Sequence, residues 1–383
     1  MIWLKKYMQD FSCLAEKCPD HCCQGWNIEL QAFDVHNLHR AGFGDVLQVQ
    51  RNKNKNIKSE ALCQISMTDR KCGALQDGRC GVQSRVGHDS IPLICASYPR
   101  AFYRYSSKES PLLPSKLHEE VHGFLSCAGV ARCIWNGEGD TWMENSDPHL
   151  RIKLADDFTS SGLYARKCSY IRNHIQILLQ SNLSIAQKMS IVGSAVRFSP
   201  AFFHHSSTKD ETHRIVDELQ KWSLEPQNIP VSEQIFSLRE QLFDVLFNIY
   251  VQPPPVNYQR SQQIHKKALE WLSQHRDEWI RKDSEMLDHY ANNFLRLYQY
   301  DWLERPYMLV SNLVEHELCN QIRQNLLRLY LCAHPKEDIS LLMSSMERLL
   351  SHSKWLSDIS QIMMRRPIPI VEQLQSFYRH EAP

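Results

Sequence analysis

Cysteine is concentrated at one end of this chain. Ten of the thirteen cysteines lie within the first 133 of the 383 residues. The N-terminus shows no signal-peptide pattern, so we predict reduced thiols that bind metal rather than disulfides. The ten cysteines are Cys13, Cys18, Cys22, Cys23, Cys63, Cys72, Cys80, Cys95, Cys127 and Cys133.

The spacing of these cysteines bears on which metal they bind. Thiolates prefer zinc or iron–sulfur clusters to magnesium or calcium. Structural zinc sites usually present two short cysteine pairs, whereas here only the group from Cys13 to Cys23 is tight. From Cys72 onwards the cysteines of the pattern come singly, with 7, 14 and 31 residues between them. Single ligands from several loops favour an iron–sulfur cluster; zinc is the alternative, and structural or redox thiols are a third interpretation.

The segment that carries these cysteines is predicted to be loop-rich. Turn-forming residues crowd it at Lys17–Asp20, Gln76–Gly78 and Val86–Asp89. Such a segment buries little apolar surface, so a bound metal would stabilise it. Apolar residues at helical spacing dominate further along the chain. We therefore predict a mainly α protein, with a loop-rich Cys-cluster metal module over residues 1–135 followed by an α-helical domain over residues 136–383.

Individual helices are predicted from a capping pattern and from apolar stripes, which are runs of apolar residues at helical spacing. Ser184 and Gln187 form a capping-box pattern, which predicts a helix that begins there and continues towards Val196. Prolines between stripes are expected to end helices. The stripes cover residues 235–249, 287–298, 313–329 and 342–350, and the prolines are Pro253, Pro254, Pro255, Pro306 and Pro335.

Composition argues against several classes of function. The 44 Lys and Arg residues balance 43 Asp and Glu residues, for a net charge of +1, whereas nucleic-acid binders usually carry a basic excess. No run approaches the ~20 apolar residues that span a bilayer. We therefore predict a cytoplasmic protein that binds no nucleic acid and has no transmembrane segment. Peripheral membrane association needs only one amphipathic face and stays open.

One short motif indicates a different metal chemistry. Residues 118–122 read His-Glu-Glu-Val-His and match His-Glu-x-x-His, in which a helix presents two histidines to zinc and a glutamate as base. Pro111 and Pro114 leave little room for a helix before the motif, and no third ligand follows in a helical context. We therefore treat metalloprotease chemistry as the weaker hypothesis and the match as coincidental.

Taken together, the cysteine motifs resemble those of a known family. The segments that carry the resemblance are Phe11-x-Cys13, Cys18-x3-Cys22-Cys23-x-Gly25-Trp26-x-Ile28, Cys72-Gly-Ala-Leu75, Cys80-x2-Gln83, Cys95-x2-Tyr98-Pro99-Arg100 and Leu125-Ser126-Cys127. This pattern is similar to that of the flagellin lysine N-methylase family, within a broader group of bacterial cysteine-cluster proteins that chelate zinc or iron. The resemblance spans nearly the whole chain, with weaker matches at residues 288–294 and 343–352.

The resemblance implies methyl transfer from S-adenosylmethionine to lysine side chains of flagellin before its export, with a [4Fe-4S] cluster required. It leaves Cys63 and Cys133 outside the metal environment. Four thiolates suffice for one such cluster, and we predict a core set of Cys22, Cys72, Cys80 and Cys95. The eight cysteines that the resemblance carries over are Cys13, Cys18, Cys22, Cys23, Cys72, Cys80, Cys95 and Cys127.

The residues themselves do not indicate how S-adenosylmethionine would bind. A Rossmann-type glycine loop is missing, since Gly42-Phe-Gly44 follows no strand pattern. The common radical motif Cys-x3-Cys-x2-Cys is incomplete, because Gly25 stands where its third cysteine belongs. The alternative function is a non-enzymatic zinc- or iron-binding protein, for metal delivery or redox relay, whose helical domain docks a partner.

An enzyme that methylates lysine must first obtain the uncharged form of the lysine amine. Free lysine has a pKa near ~10.4, so its amine carries a proton at neutral pH. Tyr98 and Arg100 are the predicted catalytic residues; each also has a structural alternative beside Pro99. Tyr98 is a candidate base, as are Glu119 and Glu120. Arg100 could contact a carboxylate of the cofactor or offset the negative charge of a cluster.

Overall fold

The computed structural model describes most of the chain, with gaps. Helix accounts for 65% of the described residues, which confirms the prediction of a mainly α fold. Within these segments no helix combines the length and the apolar character that crossing a bilayer requires. The described residues are 2–24, 28–49, 63–68, 71–105, 118–145, 171, 174–196, 209–225, 259–304 and 313–351.

Short strands form the scaffold of the cysteine-rich part. They build a four-stranded sheet, a three-stranded sheet and two two-stranded pairs. In chain order the strands are β1 (Ile2–Lys5), β2 (Glu29–Leu30), β3 (Leu47–Val49), β4 (Cys63–Ile65), β5 (Met67–Thr68), β6 (Lys71–Cys72), β7 (Leu75–Gln76), β8 (Arg79–Cys80), β9 (Arg100–Tyr105), β10 (His118–Gly123) and β11 (Trp142–Glu144). The sheet orders are β11-β1-β10-β9, β2-β4-β3, β5-β6 and β7-β8. The β1–β10 pair is parallel, and the other pairs are antiparallel.

The helices become longer along the chain. Those in the cysteine-rich part have four to nine residues, whereas α11 has 21. In chain order the helices whose two ends lie in the described residues are α1 (Lys6–Gln9), α2 (Ala32–Arg40), α3 (Gly81–Val86), α4 (Leu93–Ser97), α5 (Ala128–Asn136), α6 (Ile185–Val196), α7 (Lys209–Leu224), α8 (Gln259–Gln274), α9 (Arg276–His289), α10 (Ala291–Gln299), α11 (Leu313–Ala333) and α12 (Ile339–Ser351). Short 3-10 helices cover Ala15–Lys17, Gly44–Val46 and His88–Ser90, and a π-helical turn covers Tyr300–Glu304.

The buried apolar side chains collect into two cores. The first, which we call the helical core, joins Leu4 and Val121 of the four-stranded sheet to α5 and the C-terminal helices. The second, the N-terminal core, runs from Ile28 to Ala96. Because α5 packs against α10 and α12, the segment that carries Cys127 and Cys133 lies beside the C-terminal helices. The predicted domain boundary at residue 135 stays a prediction.

Most of the predicted helices that fall on described residues are confirmed. The Gln187 backbone N–H donates to Ser184 Oγ at 3.2 Å, and the Ser184 N–H donates to Gln187 Oε1 at 3.0 Å, as a capping box requires. Pro335 lies between α11 and α12 as predicted. The stripe at 287–298 was wrongly predicted as one element, because Tyr290 (φ −108°, ψ 27°) separates α9 from α10. The stripe at 235–249, Pro306 and the prolines at 253–255 lie outside the described residues.

A polar network crosses the helical core at Glu317 of α11. The Tyr298 hydroxyl and the Trp302 indole N–H donate to Glu317 Oε2 at 2.7 and 2.8 Å, and the Gln321 amide donates to Oε1. Glu317 has no exposed surface. Burial raises the pKa of Glu317 to about 8, against the effect of the three donors, because a carboxylate loses its hydration there.

This shift predicts a pH dependence of stability. The folded state keeps a proton on Glu317 that the unfolded chain releases near its ordinary value of 4.5. Stability therefore falls as pH rises from about 4.5 to about 8, where the unfolded state binds fewer protons than the folded state. Gln cannot titrate, so Glu317→Gln should gain stability relative to the wild type over that range. Urea unfolding at about pH 5 and about pH 8 measures this.

Exposed Glu285 on α9 offers a matched control. Glu285→Gln should leave the difference in unfolding free energy between the two pH values unchanged. Parallel pH dependences for the wild type and Glu317→Gln would contradict the assignment of a protonated Glu317.

Candidate metal centre

The eight cysteines that the resemblance carries over line one cavity of about 710 Å³. Cys63 and Cys133, the two that fall outside the resemblance, are not among the lining residues. The cysteines in the described part of the chain are all free thiols. Sulfurs from sequence positions more than a hundred residues apart therefore face the same space.

The cavity lies between the two cores, which gives it two walls. The helical core packs against Cys127 and Phe11. The N-terminal core supplies the opposite wall, and the cysteines that belong to it or pack against it and also line the cavity are Cys23, Cys72, Cys80 and Cys95. The remaining cysteines, Cys13, Cys18 and Cys22, come from the loop that follows α1.

Each thiol outside that loop sits at or near the end of a short element. Cys72 ends β6, Cys80 ends β8 and precedes α3, and Cys127 precedes α5. Cys95 lies within α4, whose first N–H, that of Leu93, donates to the buried Asp34 carboxylate at 2.9 Å. Because short elements end there, small changes in loop geometry would move the sulfurs, and side-chain hydrogen bonds such as that of Asp34 hold them in place.

Burial raises the pKa of most of the thiols that line the cavity. It is the largest cause that raises the pKa of Cys95, and it raises the pKa of Cys127 to about 12. The Cys22 thiolate raises the pKa of both further, since like charges in one cavity repel. The pKa of Cys22 is itself raised, first by its hydrogen bond with Cys23 and then by burial. A metal that bound to these thiols would release protons, so its affinity would rise with pH.

Backbone N–H groups oppose this rise in pKa at several of the sulfurs. Ala15 N–H donates to Cys13 Sγ at 3.4 Å. N–H groups two and three residues further along the chain likewise lower the pKa of Cys72, Cys80 and Cys127. Hydrogen bonds to the charged form favour a thiolate. The backbone is thus arranged to accept thiolate ligands once a cation offsets the cost of burial.

The donor set suits a soft metal group. Eight thiols line the cavity, more than its carboxylates and imidazoles together, and thiolates select zinc or iron–sulfur clusters. Among the described residues, no three His, Cys, Asp or Glu side chains are close enough to hold a single ion. Each iron of a [4Fe-4S] cluster takes a different thiolate. Thiols from separate segments suit such a cluster by residue type, whereas one zinc ion needs four ligands within about 2.3 Å.

Arg348 of α12 fixes the loop that carries Cys18 and Cys22. Its Nη1 donates to Asp20 Oδ1 at 2.8 Å and its Nη2 donates to the Asp20 carbonyl at 3.0 Å. Its Nε donates to the Ser126 carbonyl, next to Cys127, at 3.2 Å. Both Arg348 and Asp20 are buried. One guanidinium therefore holds two cysteine-bearing segments at the cavity.

Neither Arg348 nor Asp20 was predicted as a site residue. Asp20 stands between two cysteines of the tight group, and Arg348 lies in the weaker matching segment at 343–352. An acidic residue among thiolate ligands indicates a cationic partner, which is the signal that sequence analysis could have used. The sequence does not indicate which residue that partner is, because Arg348 lies 328 positions away from Asp20 along the chain.

The two predicted catalytic residues also line the cavity. Tyr98 Oη lies 3.2 Å from Ser126 Oγ. Burial raises the pKa of Tyr98 well above its usual value, and the Cys127 thiolate adds to the rise. The Arg100 guanidinium lies over the Phe11 ring, 5.6 Å from its centroid. Both side chains are therefore on the side of the cavity that packs on the helical core.

The His-Glu-Glu-Val-His motif does not form the zinc site that its sequence matches. It lies on strand β10, where residues four apart have Cα atoms about 13 Å apart. Glu120 and His122 are buried and lie 2.9 Å apart, Oε2 to Nε2, and neither lines the cavity. A zinc-protease site requires the two histidines on one helix, so the structure argues against such a site here.

The buried ion pair leads to a prediction about stability. Arg348→Met leaves the Asp20 carboxylate buried without its cation, which should cost about 3–5 kcal/mol of unfolding free energy. Adding Asp20→Asn removes that charge, so the double variant should be more stable than Arg348→Met alone. Urea unfolding of the metal-free, reduced protein measures both effects.

Arg260 serves as the control, because it is exposed and donates to the Pro19 carbonyl at 2.7 Å rather than to the Asp20 carboxylate. Arg260→Ala should cost about 0.5–1.5 kcal/mol, the usual worth of one hydrogen bond. Equal losses for the Arg260 and Arg348 variants would contradict the assigned role of Arg348.

Comparisons with known proteins agree with the resemblance seen in the motifs. The chain is 26% identical over 107 residues to the flagellar biosynthetic protein FliU of Salmonella muenchen, a match that covers 27% of this chain and 63% of that protein. It is equally similar to the lysine-N-methylases of Salmonella typhimurium and Salmonella choleraesuis, over 27% of each chain. The match thus spans about a quarter of the length of either lysine-N-methylase. No family model matches, and no solved structure matches. The predicted resemblance to lysine N-methylases is confirmed over this part of the chain.

Proposed function

We propose that this protein is a protein-lysine N-methyltransferase that depends on S-adenosylmethionine and a [4Fe-4S] cluster and acts on flagellin in the cytoplasm. The observation that carries the proposal is the convergence of eight cysteines on one cavity. The partial similarity to proteins named lysine-N-methylase supports the reaction class. The flagellar name of the Salmonella muenchen protein supports the substrate.

Cys22, Cys72, Cys80 and Cys95 are the proposed cluster ligands. The thiolates that raise the pKa of Cys95 are those of the other three, which supports their grouping around one centre. The Cys72 N–H donates to the Cys23 carbonyl at 2.9 Å, so β6 holds the Cys22–Cys23 loop beside Cys72. A bound cluster supplies one-electron chemistry or a Lewis-acidic iron.

Tyr98 and Arg100 are the proposed residues at the reacting groups. A tyrosine with a raised pKa keeps its proton at neutral pH, so Tyr98 is suited to donate a hydrogen bond and orient a ligand rather than to act as a base. Arg100 can hold the carboxylate of S-adenosylmethionine, because a guanidinium binds carboxylates with two parallel hydrogen bonds. The Phe11 ring, which lies against the Arg100 guanidinium, keeps that guanidinium in place.

Anaerobic purification and activity assays test the proposed function. The wild-type protein should be brown, contain iron and sulfide, and transfer labelled methyl groups from S-adenosylmethionine to flagellin lysines. Cys72→Ser should lose the cluster absorption and the activity, because Cys72 is a proposed ligand. The matched variant Cys63→Ser lies outside the cavity and should retain both.

Two other outcomes would contradict the proposal in different ways. Colourless protein with stoichiometric zinc would replace the cluster with the zinc alternative. Iron-loaded protein that neither binds S-adenosylmethionine nor methylates flagellin would leave a non-enzymatic metal-binding protein.

Removing the Tyr98 hydroxyl tests the orienting role. Tyr98→Phe should lower kcat about tenfold, the effect of one hydrogen bond that is stronger in the transition state. Iron content should stay at the wild-type value, since Tyr98 is not a ligand. Unchanged kcat, or a loss of activity that follows a loss of iron, would contradict this role.

A further inference from the structure

We infer that Asp34 is a positioning residue of the metal centre. It fixes the proposed ligand Cys95 and the proposed orienting residue Tyr98 through helix α4, and it places a negative charge beside them. The inference rests on the proposed function and names a residue outside the cysteine motifs. Asp34 does not line the cavity, so it acts on the centre through α4 rather than by touching a bound group.

The Asp34 carboxylate joins α2 to α4. Its Oδ2 accepts the Gln31 backbone N–H at 3.0 Å, within the capping box that begins α2. Its Oδ1 accepts the backbone N–H of Leu93, the first residue of α4, at 2.9 Å. Leu93 lies 59 positions from Asp34 along the chain. One side chain therefore fixes α4 relative to a helix that is distant in sequence.

Helix α4 carries both residues that Asp34 positions. Cys95 is the third residue of α4, and Tyr98 follows its last residue. Both Cys95 and Tyr98 line the cavity. The Tyr98 N–H donates to the Ile94 carbonyl at 3.2 Å, so Tyr98 is bonded to the same helical turn as Cys95. A displacement of α4 would therefore move the sulfur and the hydroxyl together.

Helix α4 cannot hold this position alone. It has five residues, whereas isolated helices shorter than about 12 residues are marginal in water. Beyond its C-terminal end, Tyr98 Oη lies 3.2 Å from Ser126 Oγ. At its N-terminal end the Leu93 N–H is one of the donors that a helix leaves unpaired, and Asp34 accepts it. Without Asp34 this end of α4 would lose that polar anchor.

The burial of Asp34 gives it an electrostatic role as well. Only 3% of Asp34 is exposed, and no Lys, Arg or His side chain in the described ranges forms a salt bridge with it. Burying a carboxylate without a cation is costly, which indicates a role beyond capping α2. Cys95 lies two residues beyond Leu93, about 3 Å further along the helix axis. A negative charge so close to a bound cluster lowers its reduction potential, because an added electron is repelled.

Hydrogen exchange of the reduced, metal-free protein tests the positioning role. Asp34→Ala removes both acceptors, so the amides of residues 92–98 should exchange about tenfold faster, the usual effect of one lost hydrogen bond. Gln31→Ala is the matched control, because it removes the other side chain of the α2 capping box but keeps the Leu93 bond. Only residues 31–40 should exchange faster in that variant. If Asp34→Ala does not fold, Asp34→Glu replaces it, since the added methylene group shifts the acceptor and keeps the charge.

Asp34→Asn separates position from charge. Asparagine keeps an oxygen that can accept the Leu93 N–H, but it carries no charge. Exchange over residues 92–98 should therefore stay near the wild-type rate in this variant. In the anaerobically reconstituted protein, Asp34→Asn should raise the reduction potential of the cluster, whereas Gln31→Ala should leave the potential unchanged. Asp34→Ala should lose iron to a chelator at least about tenfold faster than the wild type, as expected for a residue that orients a ligand.

Two results would overturn the inference. Exchange over residues 92–98 that is unchanged in Asp34→Ala, or no faster than in Gln31→Ala, would overturn the positioning role. A wild-type reduction potential in iron-loaded Asp34→Asn would overturn the electrostatic role.

The same measurements separate this inference from the proposed function. Protein that takes up no iron would refute the proposed cluster, while exchange in the metal-free protein would still decide whether Asp34 holds α4. Faster exchange and a shifted potential in a protein that transfers no methyl group would refute the methyltransferase and leave the role of Asp34 standing.

Discussion

The buried ion pair between Arg348 and Asp20 ties two cysteine-bearing segments of the cavity to the last described helix. The Arg348 guanidinium also holds the carbonyls of Asp20 and Ser126, so the segments that carry Cys18, Cys22 and Cys127 depend on one side chain. Placing two charges in a core costs desolvation energy, which is recovered only when the geometry supplies further hydrogen bonds. Here those bonds exist, and they connect the last described helix to a loop near the N-terminus.

The elements around the cavity are too short to hold their shape alone. Several strands have two residues, and α1 and α4 have four and five. Isolated helices and strand pairs of that length are unstable in water. The loop-rich part therefore depends for its stability on contacts with the helical core, which are made through α5 and Arg348. A bound metal group would add to this, because its binding energy is also folding energy.

Sequence patterns predicted local structure well where a local rule applies. The capping box at Ser184 depends on residues three positions apart, and its two hydrogen bonds form as expected. Patterns failed where the fold overrides them. The His-Glu-x-x-His match lies on β10 because pairing with β1 and β9 makes that segment a strand. The stripe through Tyr290 is divided because the chain leaves helical geometry there.

The sequence by itself, through its resemblance to the cysteine pattern of the methylase family, singled out eight of the ten N-terminal cysteines. The eight cysteines singled out in this way are those that line the cavity, and Cys63 and Cys133 are not among them. Only the tertiary structure decided how the thiols divide between two walls and which charges support them. Those features depend on contacts such as Arg348 to Asp20, across hundreds of residues. No local spacing rule reaches that far, because chain folding alone sets which distant side chains meet.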